Sequence, residues 1–452
     1  MSQLFTIARR NLISHRGRTL ILGGAIALVT CLMVFMMALT RGIKARMIEN
    51  ATALSTGHVN VGGFLKISQS SAAPIVTQAA RVRELLAREV PEATLIVDRV
   101  RAYGKIISDT NSIMVPITGI NMATEKRILG GLNLARVRDY VEAYAPAPGA
   151  PEAEGSMADL EQRGGLAIFA SHARKLKARV GDVVTVSMPT YRNVYNTKDV
   201  RIAAILQDLG MISSFTMFMH HEDVREIYDM AADTTSVFQI YLPSLDAVPA
   251  VEDRLRKALS AASFTLMDKD ANPYWMKFER VAGESWTGQR LDLTNWEDET
   301  SFLKWVLDIF NALTFALTFV LMVIIVIGLM NNMWMAIRER TSEIGTMRAV
   351  GLQRRGVLVM FLLESLLLAT ASVGIGIVAG SLLATGVAAL EIPIRSDAFV
   401  MFFMSNSLWL QVGAGDLAFT FVLLSTLLMV GALLPAYRAS KLEPITAINH
   451  VN

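Results

Sequence analysis

The sequence has 452 residues, of which 52% are hydrophobic and 18% are charged, and its formal net charge is +3. Soluble domains carry about 25% charged residues, so this composition indicates a membrane protein, and the small net charge does not indicate a nucleic-acid partner. The single cysteine, Cys31, excludes disulfides and thiolate metal sites that need two cysteines of one chain.

Four apolar segments are long enough to cross a bilayer as helices. A hydrocarbon core about 30 Å thick needs about 20 apolar residues, since a helix rises about 1.5 Å per residue. The apolar part of the first segment is longer than the core of a signal peptide, so we expect it to remain as a span. The predicted spans are residues 19–40, 305–337, 357–390 and 416–437.

Basic residues in the short loops predict the orientation, because Lys and Arg are enriched on the cytoplasmic side. The loop between the second and third spans has five arginines, whereas the next loop has only Arg395. We therefore expect both termini in the cytoplasm. The remaining segments are then an amphipathic cytoplasmic helix (1–18), an extracytoplasmic domain with a stalk (41–304), a cytoplasmic loop (338–356), an extracytoplasmic loop (391–415) and a cytoplasmic tail (438–452).

The predicted extracytoplasmic domain has mixed secondary-structure signals. Strand composition or alternation occurs at 58–61, 182–186, 200–205 and 237–242, and helical spacing occurs at 77–89 and 249–259. This order favours an α+β domain. We expect the Pro- and Ala-rich stretch 143–156 to be a mobile loop that separates two subdomains, and the Trp-rich, acidic stretch 270–300 to extend the second span outward as a helical stalk.

The 452 residues contain no motif for a catalytic centre. Gly104-Lys105 is followed by Ile106, where a Walker A sequence needs Ser or Thr, and no GxSxG or HExxH occurs. The densest group of possible metal ligands is His220-His221-Glu222-Asp223. Its acidic pair suits a helix N-terminus, so we interpret it as a helix cap rather than a metal site, and we assign no catalytic, cofactor or metal-binding residue.

Small residues in the spans predict close contacts between helices. Gly376 and Gly380 form a GxxxG pair in the third span, and Gly23 and Ala27 form a similar pair in the first. Such positions allow helix backbones to approach one another closely. The pairs are consistent either with packing inside one four-helix bundle or with the seam of a dimer.

The loop after the second span begins RERTSEIGTMRAVG, residues 338–351. Its charges alone would suit any solvated cytoplasmic loop. The order of its residues, however, resembles the ATPase-coupling region of the FtsX/MacB/LolC-type (type VII) ABC permeases, with the pattern R-x-x-E-I-G-x-x-R-A-x-G. The residues that fit are Arg340, Glu343, Ile344, Gly345, Arg348, Ala349 and Gly351.

Further segments extend this resemblance over nearly the whole chain. PAYRASKLEPITAI (435–448) is similar to the family's C-terminal ending, and Glu364 stands where the family often has an acidic residue. TGHVNV (56–61), ITGIN (117–121) and the stretch 170–186 are weaker similarities. The resemblance implies a membrane protein with four transmembrane α-helices and a large α+β extracytoplasmic domain inserted between the first and second helices.

The resemblance also implies partners and a mechanism. This chain would be a non-catalytic permease subunit in the bacterial inner membrane, and a separate ATPase subunit would bind ATP and Mg²⁺. Two permease chains, identical or paralogous, would assemble with two ATPases. The loop would dock on the ATPase through the motif residues, and the second span would relay the movement outward. Glu364 would form a structural ion pair or cap, or act as a coupling acid.

The span count and the separate ATPase are most similar to the lipoprotein-releasing LolC/LolE branch. We therefore expect cargo that is a lipoprotein or is otherwise linked to lipid, with a periplasmic acceptor as an optional partner. Three alternatives stay open. The chain could be a cargo-free mechanotransmitter that regulates a periplasmic partner such as a cell-wall hydrolase, a small-molecule efflux permease, or a membrane-anchored scaffold without an ATPase.

Overall fold

The computed structural model describes residues 2–14, 16–68, 72–129, 132–141, 151–190, 192, 194–394, 396, 399–400, 403–405 and 407–441. The chain divides into two compact units. The membrane unit comprises residues 1–45, 307–393 and 407–452. The domain unit comprises residues 46–306 and 394–406.

The helices are numbered in chain order. They are α1 (Ser2–Ser14), α2 (Arg16–Leu54), α3 (Ala79–Glu89), α4 (Met122–Leu129), α5 (Val137–Tyr140), α6 (Ala170–Leu176), α7 (Gly210–Ser213), α8 (His221–Tyr228), α9 (Val248–Ala261), α10 (Phe278–Gly283), α11 (Trp296–Glu299), α12 (Ser301–Glu339), α13 (Thr341–Ala349), α14 (Arg354–Ala389) and α15 (Ala414–Ser440). Short 3₁₀ helices lie at Met157–Glu161, Leu245–Ala247 and Tyr274–Met276.

All strands of the described residues belong to the domain unit. They are β1 (Val59–Lys66), β2 (Val76–Thr77), β3 (Leu95–Ile107), β4 (Ser112–Ile120), β5 (Gly165–Phe169), β6 (Val183–Pro189), β7 (Tyr195–Leu206), β8 (Met217–His220), β9 (Thr234–Thr235), β10 (Val237–Tyr241) and β11 (Gly288–Asn295). The strands and helices expected from the sequence pattern of the domain are present, as β1, β6, β7, β10, α3 and α9.

In the part of the chain that the structure describes, four helices, α2, α12, α14 and α15, are long and apolar enough to cross a membrane. The domain unit is inserted between the first two of them, so the predicted fold class is confirmed. Their shared core contains side chains from all four, including Ile26, Leu329, Val373 and Leu428. The short helix α1 is amphipathic: Ala8 is fully buried, whereas Arg9 and Arg10 are exposed.

The domain unit is built on one mixed sheet. Among the described residues nine strands follow the order β11-β1-β10-β3-β4-β8-β5-β7-β6, and β3 also pairs with β6. The last pairing closes the strands from β3 to β6 into a ring. Closure leaves these strands without a free edge, which protects them from pairing with other chains.

Strand β3 connects the two larger hydrophobic cores of the domain, because its first half pairs with β10 and its second half with β4. One core lies inside the ring and the other lies between α3, α9 and the strands β1, β10 and β11. Tyr140 and Leu166, on either side of the Pro- and Ala-rich stretch, both belong to the ring core. The expectation that 143–156 separates two subdomains was therefore wrong; residues 143–150, where most of the expected mobile loop falls, lie outside the described residues.

The predicted helical stalk at 270–300 is also wrong. This stretch forms α10, β11 and α11, and β11 pairs along its whole length with β1. The first long helix, in contrast, continues unbroken from Arg16 to Leu54. Its 39 residues span about 58 Å, well beyond the hydrocarbon core of a bilayer. Hydropathy missed this extension because residues 41–54 are amphipathic and not uniformly apolar.

Candidate functional site

Within the motif residues 340–351, Thr341–Ala349 form a short helix, α13, called the loop helix below. One of its faces is buried: Ile344 is 1% exposed and lies in the core shared by the four spans. Gly345 is buried as well, whereas Glu343 and Thr346 are exposed. Two of the predicted coupling residues, Ile344 and Gly345, therefore hold the loop helix against the spans, and Glu343 is available to a partner.

Arg340 precedes the loop helix and forms an ion pair with Glu364 of α14. Its Nη1 lies 3.3 Å and 3.2 Å from the two carboxylate oxygens. The two side chains are only 8% and 17% exposed. Arg340 Nη2 also lies 3.5 Å from the carbonyl oxygen of Asn11, at the end of α1. The guanidinium thus connects α1, the loop helix and the third span.

Two more contacts define the end of the loop helix. Arg348 Nη1 lies 3.5 Å from the carbonyl oxygen of Ser440, the last residue of α15. Gly351 has a φ of +107°, its N–H donates to Arg348 O, and the Leu352 N–H donates to Met347 O. This is the Schellman pattern of helix termination, in which glycine supplies the left-handed residue. It explains the glycine that closes the sequence motif.

A small cavity of about 50 Å³ lies beside the ion pair. Its wall includes Arg340 and Glu364 together with Thr19, Asn332 and Ser365, so that polar groups of three spans meet there. Glu364 is the sole acidic or basic residue in the predicted third span. Because such a group is costly in hydrocarbon without a partner, its pairing with Arg340 follows from its position.

The predicted small-residue pairs lie between α2 and α14 of the same chain. A Cβ built on Gly376 would lie 2.5 Å from Ala27 O, and one on Gly380 would lie 2.9 Å from Cys31 O. A Cβ on Gly23 would lie 2.9 Å from Ser372 Oγ. These surfaces are thus covered within one chain and are not available to a second copy.

In the domain unit, the His220–Asp223 cluster begins α8. His220 is the N-cap residue, and its Nδ1 accepts the N–H of Glu222 at 3.3 Å. The buried carboxylate of Asp223 accepts hydrogen bonds from Arg163 Nε at 2.8 Å, Gly164 N at 2.6 Å and Lys198 Nζ at 2.9 Å. The capping interpretation is therefore confirmed. Burial alone would raise the pKa of Asp223, but these hydrogen bonds lower it below its usual range.

Sequence reasoning missed the contacts that carry the loop helix: Asn11 O, Ser440 O and the assignment of Arg340 as the partner of Glu364. The ionisable group inside an apolar run was a signal that a cation must be near. No pattern in the sequence identified which of the five loop arginines this was.

Two family profiles match the chain. The profile described as MacB-like periplasmic core domain matches residues 19–258, which is more than half of the chain, and the one described as FtsX-like permease C-terminal matches residues 315–444. The second match includes the loop helix, Glu364 and the whole of α14.

Curated relatives share parts of the sequence. A macrolide export ATP-binding/permease protein MacB of Bdellovibrio bacteriovorus is 23% identical over 89% of this chain and 53% of its own length. MacB of Nitrobacter winogradskyi is 33% identical over 30% of this chain and 19% of its own length. An uncharacterized ABC transporter permease, YvrN of Bacillus subtilis, is 32% identical over 27% of this chain and 26% of its own length. The chain thus spans about half the length, or less, of these relatives.

Two solved structures are also similar. The periplasmic region of MacB from Actinobacillus actinomycetemcomitans is 10% identical, with a TM-score of 0.30 over 56% of this chain and 96% of that one. The extracellular domain of the ABC-type transporter YknZ is 11% identical, with a TM-score of 0.29 over 45% and 95%. On the two profile matches, the chain belongs to the ABC transporter permeases that combine an FtsX-like C-terminal region with a MacB-like periplasmic core domain.

Proposed function

We propose that this chain is the permease subunit of an ABC transporter in the inner membrane, with both termini in the cytoplasm, and that it moves a lipid-linked substrate such as a lipoprotein. A separate ATPase subunit, which binds ATP and Mg²⁺, would dock on the loop helix. Two permease chains would pair with two ATPases. Closure of the ATPases would move the long helices and, through them, the domain unit.

The construction of the loop helix is the observation that carries this proposal. Its buried face holds Ile344 in the span core, and Arg340 ties it to Glu364, so that it is fixed to the spans. Its exposed face presents Glu343. A force applied to this exposed face would reach α12 and α14 directly, because α13 is joined to α12 at Arg340 and to α14 through Gly351 to Gln353.

The charge distribution of the spans favours movement of cargo outside the bilayer. The predicted spans contain only three acidic or basic side chains, Asp308, Glu364 and Asp416. Asp308 and Asp416 lie at span ends, and Asp416 pairs with Arg41 at 2.5 Å. Glu364 is paired with Arg340. Ionisable groups within a bundle mark polar transport paths, and their scarcity in these spans favours a substrate that is extracted from the outer leaflet.

Charge reversal at Glu343 tests the ATPase-docking role. A like charge placed in an interface costs several kcal/mol, so Glu343→Lys should weaken copurification with the ATPase by more than about tenfold and abolish stimulated ATP hydrolysis. Glu84→Lys makes the same charge change on the exposed face of α3 and should change neither. Unchanged association of the Glu343→Lys chain would remove the docking role and would favour a scaffold without an ATPase.

A second candidate, small-molecule efflux, is favoured by the similarity to several macrolide export proteins. Proteoliposomes that contain this chain and its ATPase separate the two. A lipid-linked function predicts ATP-dependent release of a triacylated lipoprotein and no transport of a labelled macrolide. Macrolide transport without lipoprotein release would replace our proposal. Stimulated ATP hydrolysis with neither substrate, together with capture of a cell-wall hydrolase, would favour the mechanotransmitter.

A further inference from the structure

The end of the first long helix, α2, has an unusual set of hydrogen-bond partners. The last carbonyl groups of a helix lack donors from the helix itself. Here four consecutive carbonyls each accept a hydrogen bond from a buried side chain of the domain sheet. Thr52 O accepts from Tyr241 Oη at 3.0 Å, Ala53 O from Arg99 Nη2 at 3.0 Å, Leu54 O from Arg99 Nη1 at 3.2 Å, and Ser55 O from Gln239 Nε2 at 3.1 Å.

The donors Arg99, Gln239 and Tyr241 are called the helix-end clamp below. They are 1%, 0% and 8% exposed, respectively. Gln239 and Tyr241 alternate along β10, and Arg99 lies on β3, opposite Val237 in the register of these paired strands. Both strands are interior members of the sheet. The clamp residues therefore lie on interior strands of the sheet and not on a loop.

A buried carboxylate holds the arginine of the clamp in place. Arg99 Nε donates to Glu125 Oε2 at 2.7 Å, and the two side chains are 1% and 0% exposed. The other oxygen of Glu125 accepts the Asn121 N–H at 3.1 Å. Replacing a buried ion pair by apolar groups is often neutral for stability. The pair is thus better explained by the orientation that it imposes on the helix end than by the stability that it adds.

The turn after the helix is fixed by its own side chains. Asn60 is fully buried; its Oδ1 accepts the Gly57 N–H at 2.8 Å, and its Nδ2 donates to Thr56 Oγ1 at 2.7 Å. A Cβ on Gly57 would lie 2.8 Å from Ile240 N, so the backbone passes directly over β10. The segment TGHVNV, one of the weaker similarities to the family, is therefore the joint between α2 and the sheet.

The second long helix meets the sheet in a different way. Strand β11 ends at Asn295, and α11 forms a capping box between Asn295 and Asp298. Thr300 then departs from helical geometry, with φ −108° and ψ 23°, before α12 begins at Ser301. Arg101 and Thr294 contact Glu299, which precedes this break. These two contacts therefore hold α11, the short helix between β11 and α12.

We propose that Arg99 is a positioning residue that fixes the last turns of the first long helix, residues 46–54, to strands β3 and β10. This inference rests on the proposed function, in which the spans drive the domain. Loosening of this helix end would then weaken the coupling of span movement to the sheet.

The variants must separate positioning from stability. Arg99→Met/Glu125→Leu replaces the buried pair by apolar side chains of similar size, so the chain should fold. Arg101→Met/Glu299→Leu is the matched control, because it removes the buried pair that lies 3.5 Å apart at the other connection. Tyr241→Phe removes only the hydroxyl group that reaches Thr52 O.

The full-length chain in lipid nanodiscs, without nucleotide, allows two measurements. Hydrogen exchange over residues 50–58 reports the opening of the helix end. Spin labels at the exposed positions Glu49 and Lys105, in a Cys31→Ala background, report the distance between α2 and the sheet. We expect the Arg99→Met/Glu125→Leu chain to exchange about tenfold faster and to show a broadened distance, the Tyr241→Phe chain to exchange about threefold faster, and the control to match the parent.

Parent-like exchange and distance in the Arg99→Met/Glu125→Leu chain would overturn the proposal. If that chain does not fold, the Tyr241→Phe chain provides the test. Unchanged hydrogen exchange in the Tyr241→Phe chain would then overturn the proposal. With the ATPase and cargo present, the loosened joint should retain ATP hydrolysis but lose most cargo release; full release would also overturn it. Failure of the Glu343→Lys test would instead refute the proposed function, since the joint is measured without ATP.

Discussion

The contact between α2 and α14 allows a sharp test of the packing in the membrane unit. Gly376 faces α2 so closely that an added Cβ would lie 2.5 Å from both Ala27 O and Thr30 Cβ. Gly374, two residues earlier in the same helix, has no heavy atom within 4 Å of the position of a Cβ. Alanine therefore adds a methyl group to a tightly packed contact at Gly376 and the same methyl group to open space at Gly374.

The magnitude follows from ordinary contact distances. Non-bonded carbon atoms pack at about 3.5–4.0 Å, so Gly376→Ala must separate the two helices by roughly 1 Å or distort them. Inserting a methyl group into a packed interior costs about 1–3 kcal/mol. The gain in helix propensity of alanine over glycine, about 1 kcal/mol, applies to both variants and cancels when they are compared. Gly376→Ala should thus be about 1–3 kcal/mol less stable than Gly374→Ala.

Reversible unfolding of the full chain in mixed micelles, followed by tryptophan fluorescence, gives the difference in free energy. Gly380→Ala should fall between the other two variants, because its Cβ would lie at 2.9 Å from Cys31 O and Val34 Cβ. Equal stability of Gly376→Ala and Gly374→Ala would refute the packing argument. Loss of a dimer in Gly376→Ala without loss of chain stability would show that these glycines form a seam between copies after all.

Three further outcomes are expected. Glu364→Ala should lower the unfolding free energy by about 3 kcal/mol, because it removes the carboxylate that pairs with Arg340 at a largely buried site. Glu364→Gln keeps a hydrogen-bond acceptor and should lose clearly less stability. Similar losses in the two variants would contradict the importance of the ion pair. In thermal melts, Asp223→Asn should destabilise the domain by about 2 kcal/mol, because it removes a charged acceptor of three hydrogen bonds. The control Glu226→Gln changes an exposed carboxylate and should lose much less stability. Stability should also fall as the pH drops below about 6.5. Burial lowers the pKa of His58 in the folded chain, where its Nδ1 accepts the Leu242 N–H at 2.9 Å. The unfolded chain therefore takes up a proton at His58 at a higher pH than the folded chain does, which favours unfolding. His58→Asn should flatten the curve of melting temperature against pH, and an unchanged curve would exclude His58 as a source.

The sequence alone was sufficient for properties that depend on local composition. Span number follows from runs of apolar residues, because the bilayer requires a continuous stretch of them. Helices such as α3 and strands such as β7 were predictable from the period of their apolar residues. The order of residues 340–351 indicated the family, and the family profiles bear this out.

The tertiary structure decided everything that depends on residues far apart in the chain. Only folding brings Glu364 to one particular loop arginine, buries Ile344 in the span core and pairs β3 with β6. Hydropathy ended the first span near residue 40, but the helix continues to Leu54, where side chains of β3 and β10 donate hydrogen bonds to its last carbonyl groups. An amphipathic helix extension has no apolar run to reveal it, and its stability comes from partners that local sequence cannot identify.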